Sequence, residues 1–339
     1  MIPLAAQVGG HPGVQTTEDG SLLLKPAVPL EIEFYQRVVS ESGLVHLRPF
    51  VPKFFGTLRL EGKVETTEID EPLVTDEGVL KVTPIDGVRA EDKESLVLEN
   101  LVHGFTKPSV IDIKLGTIFY EDSATPEKRA RMEKAALETT SFETGVRLTG
   151  FQVYTNDSPD PILTRKEYGN SIKSSQLSEG IARFFPVSSP STPSAGLPRH
   201  LLLPILRSLR EDVAEIRETL EGVDMRMIGG SLLIVYESDW TRAEEAVKLY
   251  ELENDSEEME AENDVEITAG EDNDGEDEDI EDEDEEEDLP VPPYTVKLID
   301  FAHTRLMPGH GPDQGVLMGI GTLLKLLDGR IQEVDKMTP

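Results

Sequence analysis

The stretch from Pro108 to Tyr120, Pro-Ser-Val-Ile-Asp-Ile-Lys-Leu-Gly-Thr-Ile-Phe-Tyr, constrains the fold of this chain more than any other. Val110, Ile111, Ile113, Leu115, Ile118 and Phe119 make a nearly continuous apolar, β-branched run, the pattern of a strand covered on both faces. Asp112 and Lys114 are set into it two residues apart, so on a strand both leave the same face. Charges inside a core cost several kcal/mol per ion unless each finds a partner. For an isolated strand a structural Asp–Lys pair would be the simplest answer. A second charged strand, Thr295 to Thr304, changes that: Leu298-Ile299 runs into Asp300, followed at once by Phe301.

Composition separates the chain into two unlike parts. The 339 residues suffice for one large domain or for two lobes. The net charge of −35 is uneven, because residues 251–288 hold 24 Asp or Glu and no Lys or Arg, leaving 43 acidic against 32 basic residues elsewhere. That segment has too few apolar residues to offset the entropy of ordering, and it is expected to be disordered. An acidic surface repels phosphate, so direct nucleic-acid binding is not expected, and a polyanionic ligand requires a local cluster of Lys and Arg. Cysteine is absent, which excludes disulfides and thiolate metal sites. No apolar run reaches the length of a transmembrane segment and the N-terminus shows no basic-then-apolar leader, so a soluble intracellular protein is expected.

Along the chain, Gly9-Gly10-His11-Pro12-Gly13 reads as a turn whose spacing fits no phosphate-binding glycine loop. Ser21 to Lys25 reads as a strand ending in a lysine. Glu31 to Val39 has apolar residues at helical spacing. Glu31 could orient Lys25, with Glu33 as the alternative in register; an exposed acidic pair at a helix start accounts for the two equally well. Val51 to Gly56 and Val79 to Val82 are short strands around an acidic loop, and Ser95 to Val102 is an apolar segment broken by Glu99-Asn100. Thr125 and Pro126 signal a helix start. Lys128, Arg131 and Lys134 follow on one side of that helix. Pairing with Glu127 would explain Arg131 on an ordinary surface helix; on so acidic a chain, a phosphate clamp is the better reading. Gly145 to Tyr154 alternates as a strand, and Lys166-Glu-Tyr-Gly169 follows a Pro/Asp turn. Ser188 to Pro198 is a loop, and His200 to Leu220 an amphipathic helix. Met227 to Glu237 and Thr295 to Thr304 read as central strands joined by 238–294, and Asp313 to Leu327 as a last helix closed by Gly329.

Three motifs stand in order: Pro108-x-x-x-Asp112-x-Lys114-x-Gly116, Ser231-Leu232-Leu233 and Ile299-Asp300-Phe301. Together they resemble the inositol polyphosphate kinase family, with the greatest likeness to its fungal multikinase branch, the arginine-metabolism regulator type. The resemblance implies an α+β, two-lobed protein-kinase-like fold with the ATP cleft between the lobes. The N-terminal lobe and hinge would span 1–103 and the C-terminal lobe 104–339, with 251–288 as its disordered acidic insertion. The implied activity is ATP-dependent transfer of the γ-phosphate to hydroxyls of inositol tris- and tetrakisphosphate.

The same resemblance implies the roles. Asp300 holds Mg2+ against the ATP phosphates, as the Asp at the corresponding strand end of protein kinases does. Lys25 steadies those phosphates, Asp112 bonds the ribose hydroxyls, and the Glu99 carbonyl and Leu101 amide receive adenine. Lys114 reaches both the transferring phosphate and the attacking hydroxyl. Lys128, Arg131 and Lys166 anchor the phosphates of the inositol, and His303 lies near the accepting hydroxyl. Neither a His-Arg-Asp catalytic loop nor an Ala-Pro-Glu segment occurs, which argues against a protein kinase. The short segment from Gly116 to Gly145 lacks the helical insertion of dedicated trisphosphate 3-kinases and fits a broad-specificity multikinase. The alternatives are an inositol hexakisphosphate kinase and a non-enzymatic acidic transcription cofactor. MADS-box transcription regulators are the implied partners of the acidic insertion, a monomer is expected, and nucleus and cytoplasm are the expected locations.

Overall fold

The computed structural model describes residues 2–3, 13–59, 63–64, 82–83, 94–189, 192, 194–250, 252 and 292–337. Its N-terminal part supplies β1 (Ile2–Pro3), β2 (Gln15–Thr16), β3 (Leu22–Pro26), helix α1 (Pro29–Ser40), a 3-10 stretch over Ser42–Phe50, and β4 (Phe54–Arg59). A ribbon of β5 (Lys63–Val64) and β6 (Val82–Thr83) precedes β7 (Glu94–Glu99), which completes a five-stranded antiparallel sheet in the order β1-β2-β3-β7-β4. Next come β8 (Pro108–Leu115), α2 (Pro126–Glu138), α3 (Ser141–Thr144), β9 (Val146–Val153) and β10 (Ile162–Thr164). Helices α4 (Lys166–Ser171), α5 (Leu177–Phe184) and α6 (Arg199–Glu221) follow, then β11 (Met225–Met227), β12 (Ser231–Glu237) and α7 (240–250). The last elements are β13 (Tyr294–Ile299), β14 (Thr304–Leu306) and α8 (Gln314–Asp335). A second antiparallel sheet has the order β10-β9-β8-β12-β13, and β11 pairs with β14 apart from it. The architecture is α+β, as expected. Among the described residues no helix is long and apolar enough to cross a membrane.

Strand β8 is the middle strand of its sheet, which is why its pattern is so apolar: Ile111, Ile113 and Leu115 are fully buried. Pairing places Lys114 opposite Arg147 of β9 on one side and Ser231 of β12 on the other, while Ser231 in turn faces Ile299 of β13. One row across four strands thus carries Arg147, Lys114, Ser231 and Ile299, and Asp300 lies one residue beyond its end. The register with β9 shifts between Asp112 and Ile113, a bulge that re-aims side chains next to the row.

Helix α1 joins the two sheets. Phe34 stacks on Phe301 with centroids 4.3 Å apart, and Tyr35 meets the same ring edge-on at 5.5 Å. Phe301 is fully buried, a burial that contributes about 2–3 kcal/mol. The segment holding Asp300 is therefore anchored through the Phe301 ring as well as through the acid, whose Oδ1 meets Lys25.

Several boundaries differ from the sequence reading. β8 stops at Leu115, because Gly116 turns the chain at φ +97°, and Ile118 is left 55% exposed. The Val51–Gly56 strand begins only at Phe54, after Pro52 and a 3-10 cap from Val51 to Arg48. The apolar segment from Ser95 is strand as far as Glu99, and the chain turns from Leu101 to Gly104. The Met227–Glu237 run is two strands separated by Gly229 at φ +76°, and Thr295–Thr304 is likewise broken after Ile299 by Asp300 at φ +65°. The last helix passes through Gly329 to Asp335, since Leu327, Arg330 and Val334 continue its buried stripe. The glycine segment 9–12, residues 79–81 and, apart from Leu252, the acidic segment 251–288 lie outside the described residues.

Candidate active site

Asp300 is the only non-glycine residue with positive φ among the described residues, a conformation that Asp and Asn tolerate best. Its Oδ1 accepts a hydrogen bond from Lys25 Nζ at 2.6 Å, and the same ammonium donates to Glu31 Oε1 at 2.8 Å. Glu31 is 1% exposed and also receives the Phe301 amide at 3.1 Å. The choice between Glu31 and Glu33 is thereby settled, for Glu33 points outward with its side chain 61% exposed. Burial pulls the Lys25 pKa down, but the charges of Asp300 and Glu31 outweigh it and the net shift is upward.

A cavity of about 260 Å3 opens beside this cluster, and its walls carry Lys114, Arg147, Asp300 and His303 together with Met132 and Ala135 of α2. Lys114 Nζ donates to the Gly229 carbonyl at 2.6 Å, so the Gly229 turn aims the ammonium at the cavity instead of at Asp112. The Arg147 guanidinium lies 5.6 Å from the centre of the Phe119 ring. Burial lowers the pKa of both cations. Desolvated cations attract anions more strongly than exposed ones, so this is a site prepared for negative charge.

Asp112 does not line the cavity; it is 3% exposed, and its Oδ1, the Ser231 hydroxyl and the Thr149 hydroxyl are all buried without a hydrogen-bond partner. Burial raises its pKa, against the pull of the Lys114 charge and of the Ser231 hydroxyl, which lies near the carboxyl without completing a hydrogen bond to it. A carboxyl whose folded pKa is raised destabilises the fold from the unfolded pKa of about 3.9 upward, and fully above the folded value. Asp112→Asn therefore gives a thermal midpoint at pH 7 at or above the parent's, with the difference closing as pH falls toward 4. A variant that is clearly less stable at pH 7 would show that the charge is a net stabiliser.

Helix α2 starts as expected, with the Thr125 hydroxyl accepting from the Lys128 amide at 3.3 Å and Pro126 at the first position. Lys128 precedes Met132 by four residues and Arg131 precedes Ala135 by four, so both cations share the cavity-facing side of the helix. Both are exposed and neither forms an ion pair among the described residues. Lys134 turns away and pairs with Glu138 at 3.6 Å. Lys166, the first residue of α4, is exposed and is not part of the cavity wall. The neighbouring Tyr168-Gly169 pair has a packing role: a Cβ on Gly169 would lie 1.6 Å from the Leu148 carbonyl oxygen, so α4 rests directly on the backbone of β9.

At the end of β7, Glu99 receives the Lys53 amide on its carboxylate at 2.8 Å and donates its own amide to the Lys53 carbonyl at 3.0 Å. The Leu101 amide donates to no group among the described residues. Arg147 was not singled out from sequence, although it stands beside Lys114 in the row. Its only signal there was a charge in an otherwise apolar alternation, which gains meaning once the register is known. Glu121, which bonds His303, was also missed.

The family model described as inositol polyphosphate kinase matches residues 95–328. The chain is 32% identical to the inositol polyphosphate multikinase of Saccharomyces cerevisiae, over 95% of this chain and 96% of that protein. The multikinase of Schizosaccharomyces pombe is 29% identical over 53% of this chain and 61% of its own length. Among solved structures, the S. cerevisiae inositol phosphate multikinase Ipk2 in complex with ADP and Mn2+ is similar at a TM-score of 0.59 and 27% identity, covering 92% of this chain and all of that one.

Proposed function

The chain belongs to the inositol polyphosphate kinase family, and from that premise we propose that it is an ATP-dependent multikinase acting on inositol tris- and tetrakisphosphate. The observation that carries this reading is the convergence of Lys114, Arg147, Asp300 and His303 on one cavity beneath a basic helix face. Phosphoryl transfer asks a protein mainly for positioning and charge neutralisation, and this set of side chains offers both.

The residues fit a nucleotide and its metal. No group of three or more His, Cys, Asp or Glu able to hold a metal occurs among the described residues, but a nucleotide-borne Mg2+ needs only one or two carboxylates besides phosphate oxygens. Asp300 is the ligand we assign. Mg2+, when bound, neutralises charge on the β- and γ-phosphates. Lys25 is assigned to the phosphates, and Asp112, with its orphaned oxygen, to the ribose hydroxyls. The Leu101 amide and the Glu99 carbonyl are assigned to adenine; the first has no competing partner among the described residues. Lys114 neutralises the transferring phosphate and steadies the attacking hydroxyl. Lys128, Arg131 and Lys166, now joined by Arg147, hold the phosphates already on the ring, and His303 meets the accepting hydroxyl. The change of sheet between Glu99 and Pro108 supports the division into an N-terminal lobe over 1–103 and a C-terminal lobe over 104–339.

Lys128→Ala and Arg131→Ala each raise the KM for inositol trisphosphate about five- to tenfold, the loss of one solvent-facing charge-assisted contact, with the KM for ATP unchanged. Lys134→Ala leaves both constants within about twofold. Equal effects from all three would show only general charge attraction.

Product mapping from inositol trisphosphate with excess ATP tests the proposal as a whole: tetrakis- and pentakisphosphate are expected. Turnover of the hexakisphosphate alone would favour a hexakisphosphate kinase, and inertness toward both would favour an acidic cofactor without catalysis. The acidic segment 251–288 is assigned to basic partners, with MADS-box regulators as the candidates and nucleus and cytoplasm as the locations.

A further inference from the structure

Beyond the residues that face the substrate, a carboxylate outside the sequence motifs governs one of them. Glu121 lies on the connection from β8 to α2 and is mostly covered, its side chain 18% exposed. Its Oε1 stands 2.6 Å from His303 Nδ1, and its Oε2 accepts a hydrogen bond from Arg305 at 2.8 Å. Two stretches of chain meet there: the connection entering the basic helix, and the segment running from the turn after Asp300 into β14. Burial would raise the Glu121 pKa, but His303 and Arg305 more than compensate and the net shift is downward. The carboxylate is thus ionised at neutral pH and can only accept hydrogen bonds. The hydrogen on the contact with His303 must then reside on Nδ1. Nε2, the other ring nitrogen, makes no hydrogen bond among the described residues, and the ring lines the cavity.

We propose that Glu121 is a positioning residue for His303, holding the imidazole by Nδ1 so that Nε2 is presented to the bound inositol polyphosphate. Arg305 at 2.8 Å and the Ser123 hydroxyl at 3.2 Å donate to the second carboxylate oxygen and keep Glu121 from rotating away. The same contact fastens the connection leading into α2 to the Asp300 segment, so the helix bearing Lys128 and Arg131 and the turn bearing His303 share one anchor. A ring fixed through its outer nitrogen by a carboxylate is the usual means of selecting a histidine tautomer. This inference rests on the substrate reading given above for His303.

The test is a double-mutant cycle with a spectroscopic arm, on the full chain. Glu121→Gln keeps the size of the side chain but removes its charge, and it puts an NH2 donor where one of the two neighbours now finds an acceptor oxygen. It is expected to lower kcat/KM for inositol trisphosphate about tenfold, with the KM for ATP within about twofold. In a His303→Ala background the same substitution is expected to have no further effect. Nitrogen NMR of the imidazoles, with the His303 signals assigned from His303→Ala, is expected to show Nδ1–H in the parent and a changed tautomer balance in Glu121→Gln. An equal loss from Glu121→Gln with and without His303, or an unchanged His303 tautomer, overturns the proposal. A parent chain inert toward inositol phosphates would instead overturn the substrate reading, and the NMR arm would still decide whether Glu121 holds the ring.

Discussion

Asp300→Asn reduces turnover by about a thousandfold or more, roughly 4 kcal/mol of transition-state stabilisation, while the protein stays folded and still binds nucleotide. Asparagine is the informative substitution because it accepts the left-handed backbone that Asp300 adopts at φ +65°, whereas alanine would add strain of about 1 kcal/mol or more at the same position. Its amide oxygen can still accept from Lys25, so the Lys25–Glu31 contact of 2.8 Å has no reason to break. Phe301 remains in its stack with Phe34. The loss should therefore fall on chemistry and metal affinity, and not on the fold. Single-turnover assays with saturating ATP and Mg2+, set beside urea unfolding of the same preparation, separate the two. A variant within tenfold of the parent rate would remove Asp300 from the role assigned to it.

Lys25→Ala acts on stability as well as rate. It leaves the Glu31 carboxylate, 1% exposed, with only the Phe301 amide as partner among the described residues, and takes from Asp300 the Lys25 cation at 2.6 Å. Removing one member of a buried ion pair typically costs about 3–5 kcal/mol, a large part of the stability of an ordinary domain. Adding Glu31→Gln to Lys25→Met should recover much of that loss, because the uncompensated charge is gone, without restoring activity. The pH dependence is specific too. A lysine whose folded pKa is raised contributes its full stability below the unfolded value of about 10.4 and loses it as pH rises through the folded value. The difference between parent and variant is therefore flat from pH 6 to 9 and narrows only in strong alkali. Urea midpoints from pH 6 into strong alkali check this; a difference that persisted undiminished in strong alkali would assign the effect to packing of the lysine stem.

Much of the fold could be read from residue order. The apolar run around Asp112 and Lys114 is legible because a strand covered on both faces admits almost nothing but aliphatic side chains. The start of α2 is legible because Thr125 and Pro126 report a local hydrogen-bonding need, and α6 because its buried leucines repeat at helical spacing. Errors gathered where local signals mislead. Gly329 suggested a helix end, yet buried contacts at Arg330 and Val334 carry α8 past it. Thr295–Thr304 read as one strand, yet the pocket formed around Phe301 by Phe34 and Tyr35 holds Asp300 in a turn.

Sequence by itself determined which residues carry charge into an apolar interior, in what order, and therefore the family and its chemistry. Only tertiary structure decided the partnerships: Glu31 over Glu33 for Lys25, Arg147 beside Lys114, and Glu121 behind His303. Motifs are local in the chain, and spacing within one strand or helix sets their geometry. Partnerships depend on strand register and on contacts between residues up to 275 apart, and no local pattern encodes those distances.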